Sequence, residues 1–177
     1  MKKIYLSAIL ATGIALSASA QKLEKPEIDK IKGDTTWKTP DERIYTQLGF
    51  ATGRLLYVYA EKIGTSYVLC FRIDNMNGPR VWSIGPANIT NIKFTDNSVL
   101  DLKPDVGGDA HVTYGSQADR IINLVYYKLE KDDIETLKTK SVSIIRIATD
   151  GAANFDYEIK PKNADLIKKD LELILTK

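Results

Sequence analysis

The sequence predicts an α+β fold: a mainly antiparallel β-sheet built from hairpins, with a short helix and a C-terminal amphipathic helix packed on one face. Three observations predict it. Segments rich in aromatic and β-branched residues recur in pairs around short turn sequences, two other segments carry helical spacing, and the order runs from strands to strand, helix, hairpin and helix.

The chain opens with Lys2 and Lys3, an apolar run from Ile4 to Leu16, and Ala18-Ser19-Ala20 before Gln21. This is the three-part layout of a secretory signal, and the apolar run is shorter than the roughly 20 residues of a spanning helix. Cleavage is therefore expected near Ala20. No cysteine follows that site to take a lipid. The expected organisation is a signal peptide over 1–20, an extended lead-in over 21–44 and a single α+β domain over 45–177, placing a bacterial, soluble protein in the periplasm or secreted, with no membrane span.

The lead-in is polar and interrupted by Pro26, Gly33 and Pro40, with one edge strand expected near Thr35 to Lys38. Next, Leu55 to Ile63 and Tyr67 to Ile73 flank Gly64-Thr65, where Gly at the first central position suits a type II′ turn. That loop sets Leu56 opposite Ile73, Val58 opposite Phe71 and Ala60 opposite Leu69 on an apolar face. The other face carries Tyr57 opposite Arg72, Tyr59 opposite Cys70 and Glu61 opposite Val68. The Asp74-Asn75-Met76-Asn77-Gly78 run that follows lacks the alternate acids and terminal Glu of an EF-hand, and reads as a turn.

A second hairpin is predicted around Thr95-Asp96-Asn97, with Asn97 left-handed, because only that loop brings Ile92, Phe94, Leu100 and Leu102 to one face. Residues 103–119 form a long glycine-containing loop in which His111 to Tyr114 alone could extend. A strand over Ile121 to Leu129 leads to a short helix from Lys131 to Lys138, with Asp132 and Asp133 in its first turn and Lys138 in its last, as the helix dipole favours. In the third hairpin, a Thr149-Asp150-Gly151 loop sets Ile145 opposite Phe155 and Ile147 opposite Ala153. Finally, Asn163 is expected to cap a helix to about Thr176, whose Ile167, Leu171 and Ile174 stripe packs on the sheet face of Ile145, Ile147, Phe155 and Tyr157 or its equivalent. Asp170 falls inside that stripe, as an ion-pair partner for Arg72 or Arg146 or as a sign of a narrower stripe.

Composition narrows the function. The 177 residues are 44% hydrophobic and 27% charged, and without Lys2 and Lys3 the basic residues equal the 23 acidic ones. Nucleic acid, usually met by a basic excess, is not an expected partner. Cys70 is the only cysteine and reads as a small buried hydrophobe. His111 is the only histidine, which excludes multi-histidine metal sites, and no phosphate-loop, dinucleotide, zinc-protease or nucleophile-elbow motif occurs. No cofactor or metal is expected.

What remains is aromatic. Tyr57, Tyr59, Arg72 and Trp82 are the candidate ligand-binding residues, since Tyr, Trp and Arg dominate binding hot spots. The competing reading, favoured by the way sheets pack, makes the tyrosines half-buried core. The expected function is a non-catalytic binding or envelope-associated module for a glycan, a peptide or an envelope protein. Two alternatives are an exported hydrolase using Asp105, Asp109 and His111, and a structural subunit of a surface assembly. Catalysis is the less expected outcome, and an ordinary exposed loop histidine is the favoured reading of His111.

Overall fold

The computed structural model describes residues 22–30, 33–50, 52–78, 81–107, 111–113 and 119–177. The signal-like segment and Asp109 lie outside the described residues. In chain order the elements are β1 (Glu27–Ile28), β2 (Thr35–Lys38), β3 (Glu42–Leu48), β4 (Gly53–Ile63), β5 (Ser66–Met76), β6 (Thr90–Phe94), β7 (Val99–Leu102), β8 (His111–Thr113), β9 (Arg120–Leu129), α1 (Lys131–Thr139), β10 (Val142–Ile147), β11 (Phe155–Glu158), a 3₁₀ turn (Pro161–Asn163) and α2 (Leu166–Leu175). The fold is α+β, with antiparallel pairing throughout. No helix among the described residues is long and apolar enough to cross a membrane.

The strands form two sheets. In the larger, the order is β1-β2-β4-β5-β9-β8, and β3 shares the free edge of β4 with β2. The smaller runs β11-β10-β6-β7. At the centre of the larger sheet β4 and β5 pair from Ile63↔Ser66 to Gly53↔Met76, in the register expected from a Gly64-Thr65 loop. Gly64 has φ +57, which a side chain-bearing residue adopts only at a cost and which a II′ turn requires at that position.

Period two then sorts the side chains. Leu56, Val58, Ala60, Leu69, Phe71 and Ile73 are fully buried on the inner face and join Ile121, Val125 and Tyr127 of β9. The smaller sheet contributes Ile92, Phe94, Ile145, Ile147, Phe155 and Tyr157 to the same core, and the helices contribute Ile134, Leu137, Ile167, Leu171 and Ile174. Thr90 and Tyr127 join the two sheets through a hydroxyl pair 2.6 Å apart. The solvent face of the smaller sheet is polar, with Arg146 donating two bonds to Asp156 at 2.7 and 2.6 Å.

The second hairpin has the expected loop: Ile92 pairs with Leu100, Phe94 N–H donates to Ser98 O, and Asn97 has φ +69. The third differs. Ile145 pairs with Tyr157 and Ile147 with Phe155, two residues beyond the expected register. The cause is tertiary: Asp150 exchanges both backbone bonds with Ser83, at 2.9 Å each, so the loop opens to reach that segment. A shift of two leaves every side chain on its expected face. In the long loop, a Cβ on Gly107 would run into the Ile84 carbonyl, so only glycine lets the loop lie this close.

The C-terminal helix departs from expectation at its start. Asn163 belongs to the 3₁₀ turn, and its Nδ2 donates to Ile44 O at 2.8 Å, while Asp165 occupies the N-cap of α2. The stripe is buried as expected, but its principal neighbours are β4 and α1 rather than β10 and β11. Arg72 pairs with Asp41 and Arg146 with Asp156, so neither meets Asp170. Asp170 is instead fully buried against Thr39, and burial pushes its carboxyl up to about 8, with the Thr39 hydrogen bond opposing and the nearby Glu42 charge adding to the rise.

Two outcomes follow from this docking. Leu171 is fully buried, so Leu171→Ala is expected to cost about 2–5 kcal/mol in urea denaturation. The Asp170 carboxyl titrates near 8 when folded against an ordinary 3.8. Its contribution to stability is therefore complete below pH 4 and is lost as pH rises through 8. Denaturation midpoints should fall from pH 5 to pH 8 in the native chain, and much less in Asp170→Asn.

Candidate functional site

The outer face of the larger sheet brings Tyr57 and Arg72 together as a cross-strand pair. The Arg72 guanidinium lies 4.0 Å from the centre of the Tyr57 ring and makes a 2.8 Å ion pair with Asp41. Burial raises the Asp41 carboxyl more than the Arg72 charge lowers it. Next along the strands, Tyr59 is only 5% exposed. Its hydroxyl lies 3.3 Å from that of Tyr126, and Lys38 Nζ sits 4.1 Å above its ring. Cys70 is fully buried beside them, and burial pushes its thiol up to about 12, far from the thiolate a nucleophile needs. Tyr59 and Cys70 thus form a small buried nest outside the main core cluster.

Trp82 lies elsewhere. It is 3% exposed within the main core, edge-on to Phe155 at 5.0 Å. Of the four candidate binding residues, the structure unites Tyr57 with Arg72, buries Tyr59 beside them, and places Trp82 in a different layer. The loop residues are also apart. Asp105 is held by its N–H to Tyr126 O, whereas His111 pairs with Ile122. Those anchor points are four residues apart on β9, or about 13 Å at strand rise. Among the described residues, no group of three or more His, Cys, Asp or Glu side chains could hold a metal.

A pocket opens where the two sheets part. It has a volume of about 280 Å³ and is walled by the end of β3, the turn and the start of β4 (Leu48, Gly49, Thr52, Gly53), by Met76 at the end of β5 with Asn77 and Gly78 after it, and by Phe155 of the smaller sheet. On its inner wall, Gln47, Arg54 and Asn75 form a cross-strand row, because Gln47 pairs with Arg54 and Arg54 with Asn75. Arg54 is tied to Gln47 Oε1 at 3.0 Å, which also accepts from Tyr45.

Asn75 is the unusual member. It continues the buried column of Leu69, Phe71 and Ile73, is 1% exposed, and neither its Oδ1 nor its Nδ2 has a hydrogen-bond partner among the described residues. Leaving both halves of a buried amide unmade costs about 1–3 kcal/mol per group, so native proteins seldom do so without a reason. The expected turn at residues 74–78 obscured this residue. β5 runs on to Met76, and only Asn77, at φ +50, begins the turn. Continuing the two-residue period past Ile73 would have placed Asn75 on the core face.

The described lining residues include no carboxylate, histidine, cysteine or lysine. They offer one guanidinium, the side-chain amides of Gln47 and Asn77, and an apolar floor of Leu48, Met76 and Phe155. Fold and pocket together define a two-sheet α+β module with a small amide-lined cleft at one end. Comparison with protein families, with curated proteins and with solved structures finds no match to this chain.

Replacing Asn75 by the similarly sized Leu removes the unmade bonds and keeps the packing. Asn75→Leu is expected to raise the stability of the unliganded protein by about 1–3 kcal/mol in urea denaturation, whereas an ordinary polar core residue with partners would lose stability on the same change.

Proposed function

We propose that the protein is an exported, non-catalytic binding module whose ligand seat is the cleft between the two sheets. The cleft itself carries this reading: a pocket of about 280 Å³ with Leu48, Met76 and Phe155 as apolar lining and the Arg54 guanidinium on its wall has the make-up of a small ligand seat. Export rests on the basic, apolar and small-residue order of the first twenty residues. The outer face is a weaker seat, since Arg72 already covers Tyr57 and pairs with Asp41. A hydrolytic role for Asp105 and His111 draws no support from their separate anchor points on β9.

The test has two parts. Protein recovered from the periplasm or medium is expected to begin at Gln21; recovery of the Met1 form in the cytoplasm alone would remove the export reading. A thermal-shift screen with peptide, glycan and envelope-extract panels is expected to find ligands that raise the melting temperature of the native chain by several degrees and move Arg54→Ala, which loses the charge on the cleft wall, much less. Ligands that shift both proteins equally would place the seat elsewhere.

A further inference from the structure

We infer that the cleft takes a small amphipathic carboxylate, its apolar body on Leu48, Met76 and Phe155 and its charge on the Arg54 guanidinium. This rests on the reading of the cleft as the ligand seat and names the class of ligand. Arg54 stands at a boundary. It lines the cleft and also the wider groove beside it, of about 610 Å³, which runs between the edge strands β3 and β11 and is lined by Asp156, Glu158 and Lys160. A molecule lying across that boundary meets apolar side chains at one end and polar groups and water at the other, with the guanidinium between them.

Arg54 also lacks a counter-charge. It is half-buried and has no ion pair among the described residues, whereas Arg72 is paired with Asp41, Arg120 with Asp74 and Arg146 with Asp156. Arg43, which has none either, is exposed to water. A guanidinium partly withdrawn from water gives up hydration that only an anion restores in full. The neutral Oε1 of Gln47, at 3.0 Å, accepts from Arg54 Nη2 and so takes up one of the five N–H donors. The remaining nitrogens are not sealed from solvent, in contrast to the Nε of Arg72. They leave a planar fork of the kind that a carboxylate meets with two parallel bonds.

Charge and size narrow the class. The described lining of the cleft holds no acid, so a cationic ligand would face Arg54 unopposed. In the groove Asp156 is engaged by Arg146, which leaves Glu158 against Lys160 and Arg54. That balance suits one negative charge rather than two. At about 280 Å³ the cleft falls just below the usual range for drug-sized ligands, so the apolar body is short, a single acyl chain or one ring.

The experiment is an NMR titration of the ¹⁵N-labelled protein with octanoate and 3-phenylpropanoate, which distinguish an acyl chain from an aryl body, and with octan-1-ol, octyltrimethylammonium and acetate. At least one of the two amphipathic carboxylates is expected to shift the Arg54 Nε signal and the backbone signals of Gly49, Thr52 and Asn77 saturably. Octan-1-ol should bind about tenfold more weakly than octanoate, and acetate and the ammonium salt should leave these signals unmoved. Arg54→Gln should keep the native spectrum away from the cleft and lose the tenfold preference for the carboxylate. Leu48→Ala, at a position 64% exposed and so neutral for folding, should weaken octanoate and octan-1-ol alike by several-fold. Equal binding of octanoate and octan-1-ol, equal binding of the ammonium salt, or an undiminished carboxylate preference in Arg54→Gln would overturn the inference, as would shifts that scatter over the surface without saturating. Failure of both carboxylates beside a ligand of other chemistry that needs Arg54 would overturn the inference and leave the cleft as the seat. Failure of every ligand to depend on Arg54 would overturn both.

Discussion

The structure depends on the register of the β4–β5 hairpin. Gly64 takes the positive φ that closes its turn, and from that residue outward each side chain is assigned to one face or the other. A slip of one residue would carry Leu56, Val58, Phe71 and Ile73 to the outer face and bring Tyr57 and Arg72 into the core, so burial and turn geometry enforce the same pairing. Everything else attaches to this ribbon. β2 and β3 divide its one edge, β9 takes the other, and α2 docks on its inner face near Thr39 and Ala60.

The same register produces the cleft. Following the inner face of β5 away from the turn, the column runs through Leu69, Phe71 and Ile73 and ends at Asn75, where the sheets are no longer filled by apolar side chains. Beyond that point the pocket is lined by glycines, amides and a guanidinium together with Leu48, Met76 and Phe155. A polar group at a core position without an internal partner departs from local consistency and costs stability. Asp74 and Thr39, which are also buried, have partners. Asp74, buried on the opposite face of the same strand, is held by Arg120, and Thr39 both accepts from Ala60 N–H and bonds Asp170.

On the outer face, Tyr59 is buried rather than presented to solvent. Tyr59 is closed over by Lys38 and by the Tyr126 hydroxyl, and the buried thiol of Cys70 sits beneath it. Burial disfavours ionisation of Tyr59, Tyr126 and Cys70 alike, so the nest stays neutral. The chain segment that closes it is the polar stretch before β3, whose composition gives no hint that Lys38 and Asp41 would lie against the sheet.

By itself the sequence determined the local and periodic features: the II′ turn at Gly64, the left-handed Asn97, the alternating faces of β4, β5, β6 and β9, the short helix after β9 and the apolar stripe of α2. These follow from steric preferences and from spacings of two or 3.6 residues, which act between near neighbours in the chain. Only the tertiary structure decided the rest. Asp150 meets Ser83 and so opens the third hairpin, α2 settles on β4 and α1, Trp82 enters the core beside Phe155, and the buried Asn75 amide is left without a hydrogen-bond partner among the described residues. Each of those outcomes depends on which distant segment arrives at a given surface. Whether a buried polar group is satisfied is a property of that meeting, and no pattern within a single strand contains it.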